Sequence, residues 1–188
     1  MERKKRALIV IDIQNDMCEG GVMAYEGTLK IIPMINRIKK KFDIVIYTKD
    51  WHPEDHKSFK KYPQHCVRET KGAEIHKLVE IEERDYIIHK GMMKDKETVS
   101  GYYVGKDEEN EIETEMRKVI EREKIEEIYI TGVGVDHGIF GTMIDSKIYG
   151  YKCKIIKEMI ADTEKKKEKL REFAERFKIE IIEIEKIK

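Results

Sequence analysis

The chain has 188 residues, 40% of them hydrophobic and 40% charged, and its 38 basic and 38 acidic side chains cancel to a formal charge of zero. That length and apolar share suit one domain with a single sizeable core, and a neutral balance leaves no global field to draw the protein to nucleic acid or to an anionic membrane. Three cysteines (Cys18, Cys66 and Cys153) without paired spacing argue against a disulfide framework and fit a reducing cytoplasm, while no apolar run approaches membrane-spanning length.

The basic start, Met1 to Arg6, imitates the first part of a secretory signal. The apolar run behind it is broken by Asp12, Gln14 and Asn15 and carries no cleavage site, so a soluble intracellular protein is expected. The excess of Lys, Glu and Arg with Ile resembles proteins of hyperthermophiles, whose surfaces carry ion-pair networks; an AT-rich genome is the other reading of the same bias.

Ala7–Ile13 is a short, almost wholly apolar run and predicts a strand buried on both faces, as in a parallel sheet. Thr28–Lys41 has helical spacing through Leu29, Ile32, Ile35 and Ile38. Asp43–Thr48 predicts a second buried strand. Trp51–Gly72 holds His52, His56 and His65 with Pro53 and Pro63, and has the look of a long functional loop. Asp85–His89 predicts a third strand that leads into Lys90-Gly91. Glu108–Lys124 predicts a charged amphipathic helix, Glu127–Gly132 a fourth strand, and His137–Tyr149 a helix beside Gly138. Lys152–Lys157 predicts a fifth strand. Asp162 can cap a helix to about Arg176, and Ile179–Ile184 closes the set as a sixth strand.

Strands that alternate with helices predict an open parallel α/β sheet covered on both faces. Ligands bind such sheets at the carboxyl ends of the strands. Asp12, Asp50, Lys90 and the Gly132–Gly138 turn all follow strands, so topology gathers them at one edge.

Asp50, His52 and His65 offer one carboxylate and two imidazoles, a set suited to a divalent metal with positions left for water. Spacing alone does not separate that reading from ordinary loop polarity. Asp12, leaving a buried strand, suits either a turn or a general base. Lys90 needs a carboxylate partner if it is buried, and Asp12 is the expected one. In the turn Thr131-Gly132-Val133-Gly134-Val135-Asp136-His137-Gly138, Gly134 and Gly138 suit a tight turn and close helix packing.

The strings Asp50-Trp51-His52-Pro53-Glu54-Asp55-His56, Tyr62-Pro63-Gln64-His65-Cys66-Val67, Ile11-Asp12-Ile13-Gln14-Asn15-Asp16 and Gly132 to Gly138 resemble the nicotinamidases of the isochorismatase-like, or cysteine hydrolase, family. The resemblance runs from Ile9 to about Asp162. It implies a three-layer α/β/α fold around a mostly parallel six-stranded sheet. It also implies that Asp50, His52 and His65 hold one divalent ion, zinc first, with iron and manganese accepting the same set. His56 or Ser58 would hold water on that ion. Asp12 and Lys90 would belong to the catalytic triad. Val133, Gly134 and Gly138 would form the oxyanion loop, with a strained, often cis, peptide at Val133-Gly134. The family's third triad member is a cysteine at the last position of that loop, and here the residue is Gly138. Cys66 follows His65 as in the family, where it is not the nucleophile, and neither Cys18 nor Cys153 has a claim to replace it. Tyr62 matches the family's aromatic clamp, whereas Met17 stands where an aromatic is usual. The family also implies a homo-oligomer and a small-molecule amide substrate.

Three functions stay open on these residues. The first is a metal-dependent amide hydrolase of nicotinamidase type, because a bound metal can lower the pKa of its water towards about 7 and supply a nucleophile without a thiol. The second is a metal-binding relative without catalysis that recognises a small ligand or partner, because members of a catalytic triad act as a unit. The third is a vinyl-ether hydrolase like the isochorismatases, which also carry glycine at the nucleophile position but generally lack the Asp-x-His set.

Overall fold

A computed structural model describes residues 3–106 and 110–187. Its centre is a six-stranded sheet in the order β3-β2-β1-β6-β7-β8, where β1 is Arg6–Ile11, β2 Ile44–Asp50, β3 Tyr86–Lys90, β6 Glu127–Val133, β7 Lys152–Ala161 and β8 Glu180–Ile182. Every neighbouring pair in it is parallel. β4 (Tyr103–Lys106) and β5 (Glu111–Glu113) form a separate antiparallel pair.

The period of two along each strand divides the apolar side chains between two cores. Leu8, Val10, Val45, Tyr47, Tyr129 and Ile156 face α1 (Thr28–Ile38), which buries Ile31, Ile32, Ile35 and Ile38 against them. Ala7, Ile9, Ile11, Ile46, Ile130 and Ile155 share the opposite core with α2 (Met116–Arg122), α3 (Phe140–Ile148) and α4 (Glu164–Arg176). The three layers and parallel sheet expected from the alternation of elements are therefore present.

Several boundaries differ from expectation. β1 stops at Ile11 because Asp12 turns into the left-handed region, at φ 52°. β2 continues to Asp50 and β3 to Lys90, so both residues end strands rather than follow them. The helix expected over Glu108–Lys124 starts only at Met116. Residues 108 and 109 lie outside the described residues, Glu111–Glu113 is the strand β5, and the Met116 N–H donates to Thr114 Oγ1 at the helix entry. β7 runs four residues past Lys157, through a register shift against β6 between Ile130 and Gly132. The helix expected from Asp162 is capped instead by Thr163, whose side chain accepts from the Lys166 N–H. The α3 region opens with a looser turn at Val135–Ile139, and regular α-helix begins at Phe140.

Candidate active site

Asp12, Thr48, Asp50 and Lys90 meet because the central strands place them side by side. Asp50 and Lys90 are register partners on β2 and β3, so their side chains leave one face as neighbours. Lys90 Nζ donates to Asp50 Oδ1 at 2.6 Å and sits 2.9 Å from Asp12 Oδ2. Thr48 lies two residues before Asp50 on the same face, and its hydroxyl donates to Asp12 Oδ1 at 2.7 Å. Asp12, Asp50 and Lys90 are all buried.

The charges settle according to this geometry. Burial pushes the Asp12 carboxyl above the ordinary aspartate range; the Lys90 ammonium opposes that shift and the Asp50 charge adds to it. Burial also acts against ionised Asp50, but Lys90 and the neighbouring imidazoles overcome it and hold that carboxyl low. Lys90 loses hydration, yet its two carboxylates keep the ammonium above the ordinary lysine range. The result is a fixed cation between an ionised Asp50 and an Asp12 that takes up a proton more readily.

Ligand atoms of Asp50, His52 and His65 lie within 4.8 Å of one another, and all three residues are buried. The His52 ring places Nδ1 2.7 Å from the Gly91 carbonyl, and His65 places Nδ1 2.6 Å from the Pro63 carbonyl. In each ring a proton on Nδ1 satisfies the carbonyl and leaves Nε2 as a lone-pair donor facing inward, the usual arrangement of a metal-ligating histidine. His52 Nε2 is 3.8 Å from Asp50 Oδ1. Gly91 is needed for this approach: it has φ 63°, and a Cβ there would fall 2.5 Å from the His52 ring. One carboxylate, two oriented imidazoles and burial thus fit a divalent cation.

His56 and Ser58 satisfy each other, with His56 Nδ1 2.7 Å from Ser58 Oγ, and the His56 ring stacks on His52 at 4.0 Å. Burial, with His52 beside it, lowers the His56 imidazole to about 4.

The pocket over these groups encloses about 50 Å³, room for a few waters, and is lined by Asp12, Asp50, His52, His65 and Lys90 together with Met17, Tyr62, Val133, Gly134 and Gly138. Every residue singled out from the sequence as a site candidate is therefore on one cavity. Tyr25, Thr48 and His137 were not anticipated. His137 lies between two tyrosines, 3.1 Å from the Tyr62 hydroxyl and 3.5 Å from that of Tyr25. The signal for Thr48 was its two-residue offset from Asp50 on one strand; for His137 it was only adjacency to Gly138.

The Gly132–Gly138 turn departs from expectation in one respect. No peptide bond among the described residues is cis, so the Val133-Gly134 bond is trans. The bend is made by Gly132 at φ 126° and Gly134 at φ 75°. Asp162 Oδ2 accepts the Val135 N–H at 2.9 Å and ties the turn to the end of β7. Gly138 is a different case. Its backbone is not left-handed, but a Cβ there would lie 2.5 Å from Ile11 Cγ2 and 2.9 Å from Asp12 Oδ2. Space, not backbone conformation, calls for glycine at 138. All three cysteines are buried and none lines the pocket.

Comparison with known proteins agrees with this architecture. The model of the isochorismatase domain family matches residues 6–181. The nicotinamidase of Acinetobacter baylyi is 29% identical over 170 residues, covering 80% of this chain and 78% of that protein. The nicotinamidase/pyrazinamidase of Mycobacterium tuberculosis is 28% identical over 166 residues, covering 83% and 86%. The structure of Pyrococcus horikoshii pyrazinamidase in complex with zinc superposes with a TM-score of 0.83 at 30% identity, over 95% of this chain and 99% of that one.

Proposed function

We propose, from the premise that this chain belongs to the isochorismatase family, that it is a metal-dependent hydrolase of nicotinamidase type whose substrate is a small amide. The observation that carries this reading is the buried Asp50–His52–His65 cluster, set beside the Asp12–Lys90 pair in one cavity. Asp50, His52 and His65 would hold the ion. When bound, a divalent ion supplies a Lewis acid that polarises a carbonyl or activates water.

The remaining work falls to the protein's own groups. Tyr62, Met17 and Val133 line the pocket and would pack against a small flat ligand. The main-chain N–H groups of the Val133-Gly134-Gly138 loop are the candidates for stabilising an oxyanion, because fixed donors cost no reorganisation as charge develops. Asp12 moves the proton at Oδ2: it takes one from the attacking water and delivers it to the leaving nitrogen. The Thr48 hydroxyl holds its other oxygen, and Lys90 holds the ionised form in place.

The closed space over Gly138 favours a second reading, a member that binds a small ligand without turnover. Ammonia release from nicotinamide by the zinc-loaded protein, with and without chelator, separates the two. Release that stops with chelation supports the hydrolase. Nicotinamide or nicotinate bound without release from a protein carrying one zinc supports the binding reading.

A further inference from the structure

Asp12 begins a segment whose alternate side chains, Gln14 and Asp16, the proposed reaction does not use. Gln14 is wholly buried. Its amide bonds both main-chain groups of Asp50: Oε1 accepts the Asp50 N–H at 2.8 Å, and Nε2 donates to the Asp50 carbonyl at 2.8 Å. The same Nε2 donates to the Ala73 carbonyl at 2.9 Å. The side chain thus imitates a strand partner at the end of β2 and fixes where the Asp50 carboxylate leaves the backbone.

Asp16 does the same for the histidines. Its Oδ2 accepts the Cys66 N–H at 2.7 Å. Cys66 follows His65, stands in the left-handed region at φ 46°, and accepts the His52 N–H on its own carbonyl at 3.0 Å. One carboxylate therefore fixes the joint between both imidazole ligands. The fit is tight, since a Cβ on Gly72 would fall 2.2 Å from Asp16 Oδ2.

We propose that Gln14 and Asp16 are positioning residues of the metal centre, Gln14 acting through the Asp50 backbone and Asp16 through Cys66 on His65 and His52. This inference rests on the metal reading given above. Three ligands from the end of β2 and the loop behind it then owe their convergence to one strand-end segment, with Asp12, Gln14 and Asp16 each serving a different partner.

The test is zinc affinity by competition with a chromophoric chelator, on variants shown to be folded by circular dichroism, together with the visible spectrum of the cobalt-loaded proteins. Asp16→Ala and Gln14→Leu are expected to weaken zinc binding about 10- to 100-fold, the range for lost outer partners of metal ligands, and to alter the cobalt spectrum. Asp16→Asn, which keeps an oxygen acceptor for Cys66, is expected to stay within about threefold of the unmodified protein. Gly72→Ala displaces the carboxylate without removing it and should behave like Asp16→Ala, which covers the case of a poorly folded Asp16 variant. Folded Asp16→Ala and Gln14→Leu proteins with unchanged affinity and spectrum overturn this inference alone. Absence of saturable zinc binding in the unmodified protein overturns the metal reading and this inference with it.

Discussion

Ile11 fills the space that a side chain on Gly138 would need: a Cβ at 138 would lie 2.5 Å from Ile11 Cγ2. Ile11 is wholly buried at the end of β1, so it yields only by repacking. Gly138→Cys alone is therefore expected to fold with a loss of about 1–3 kcal/mol from overpacking and to gain little amidase activity. Ile11→Ala with Gly138→Cys removes the closer of the two clashes and leaves the new Cβ against Asp12 Oδ2, at 2.9 Å before any adjustment. Ammonia release from nicotinamide is expected to exceed that of Ile11→Ala alone by at least about tenfold, one decade being about 1.4 kcal/mol of barrier. A folded, zinc-loaded double variant that matched Ile11→Ala would show that the pocket differs in more than its nucleophile.

The native thiols should be inert. Burial pushes Cys18 and Cys153 up to about 12 and Cys66 well above the ordinary thiol range; the nearby Glu19 carboxylate adds to the shift of Cys18, and those of Asp50, Asp12 and Asp16 to that of Cys66. Thiolates are the reactive form, so at pH 8 these groups should react slowly. A colorimetric disulfide reagent is expected to titrate no thiol in the native protein within minutes and all three after denaturation. Any hydrolytic activity should survive iodoacetamide; its loss would assign the chemistry to a cysteine after all.

Much of this site was legible in the chain because strand ends and loop strings are local features. β1, β2 and β6 announce themselves as short apolar runs, and Asp50, His52 and His65 lie within sixteen residues. What was missed depends on distant geometry. β5 is three exposed residues, Glu111 to Glu113, whose charge pattern continues into the helix that follows, so nothing local separates them. Asp162 resembled a helix cap because Thr163 behind it is the cap; its own carboxylate is directed to Val135, 27 residues away. The crowding at Gly138 involves Ile11, which no spacing rule connects to it.

Asp43 gives a pH dependence away from the site. Its Oδ1 is 2.6 Å from Arg3 Nη2 and its Oδ2 accepts the Arg6 N–H at 2.7 Å. Burial acts against its ionisation, but the Arg6 N–H and Arg3 more than offset it and hold the carboxyl below the ordinary aspartate range. A lowered folded-state pKa contributes stability that is present above the unfolded value of about 3.9 and is lost as pH falls through the folded value. Asp43→Asn is expected to lower unfolding free energy at pH 7 by about 1 kcal/mol, a charge-assisted bond discounted for the exposure of Arg3. Urea melts of the two proteins should converge as pH drops below about 4. A difference that persisted at pH 2.5 would assign the effect to packing.

Gly91 offers the sharpest separation between folding and metal binding. At φ 63° it stands in a conformation that costs a residue with a side chain roughly 1 kcal/mol, and a Cβ there would fall 2.5 Å from His52 Cε1 and 2.8 Å from its Nδ1. The Gly91 carbonyl is also the partner that orients the His52 ring. Gly91→Ala should therefore turn His52 away from Asp50 while leaving the sheet intact, since Gly91 lies just beyond β3. The expected outcome is a fall in unfolding free energy of about 1–3 kcal/mol in the metal-free protein and a loss of zinc affinity of at least about tenfold. Paired chemical denaturation and chelator competition measure both quantities on the same sample. Unchanged zinc affinity in the folded variant would mean that the His52 ring is not held by this carbonyl, and that its Nε2 is not the atom presented to the ion.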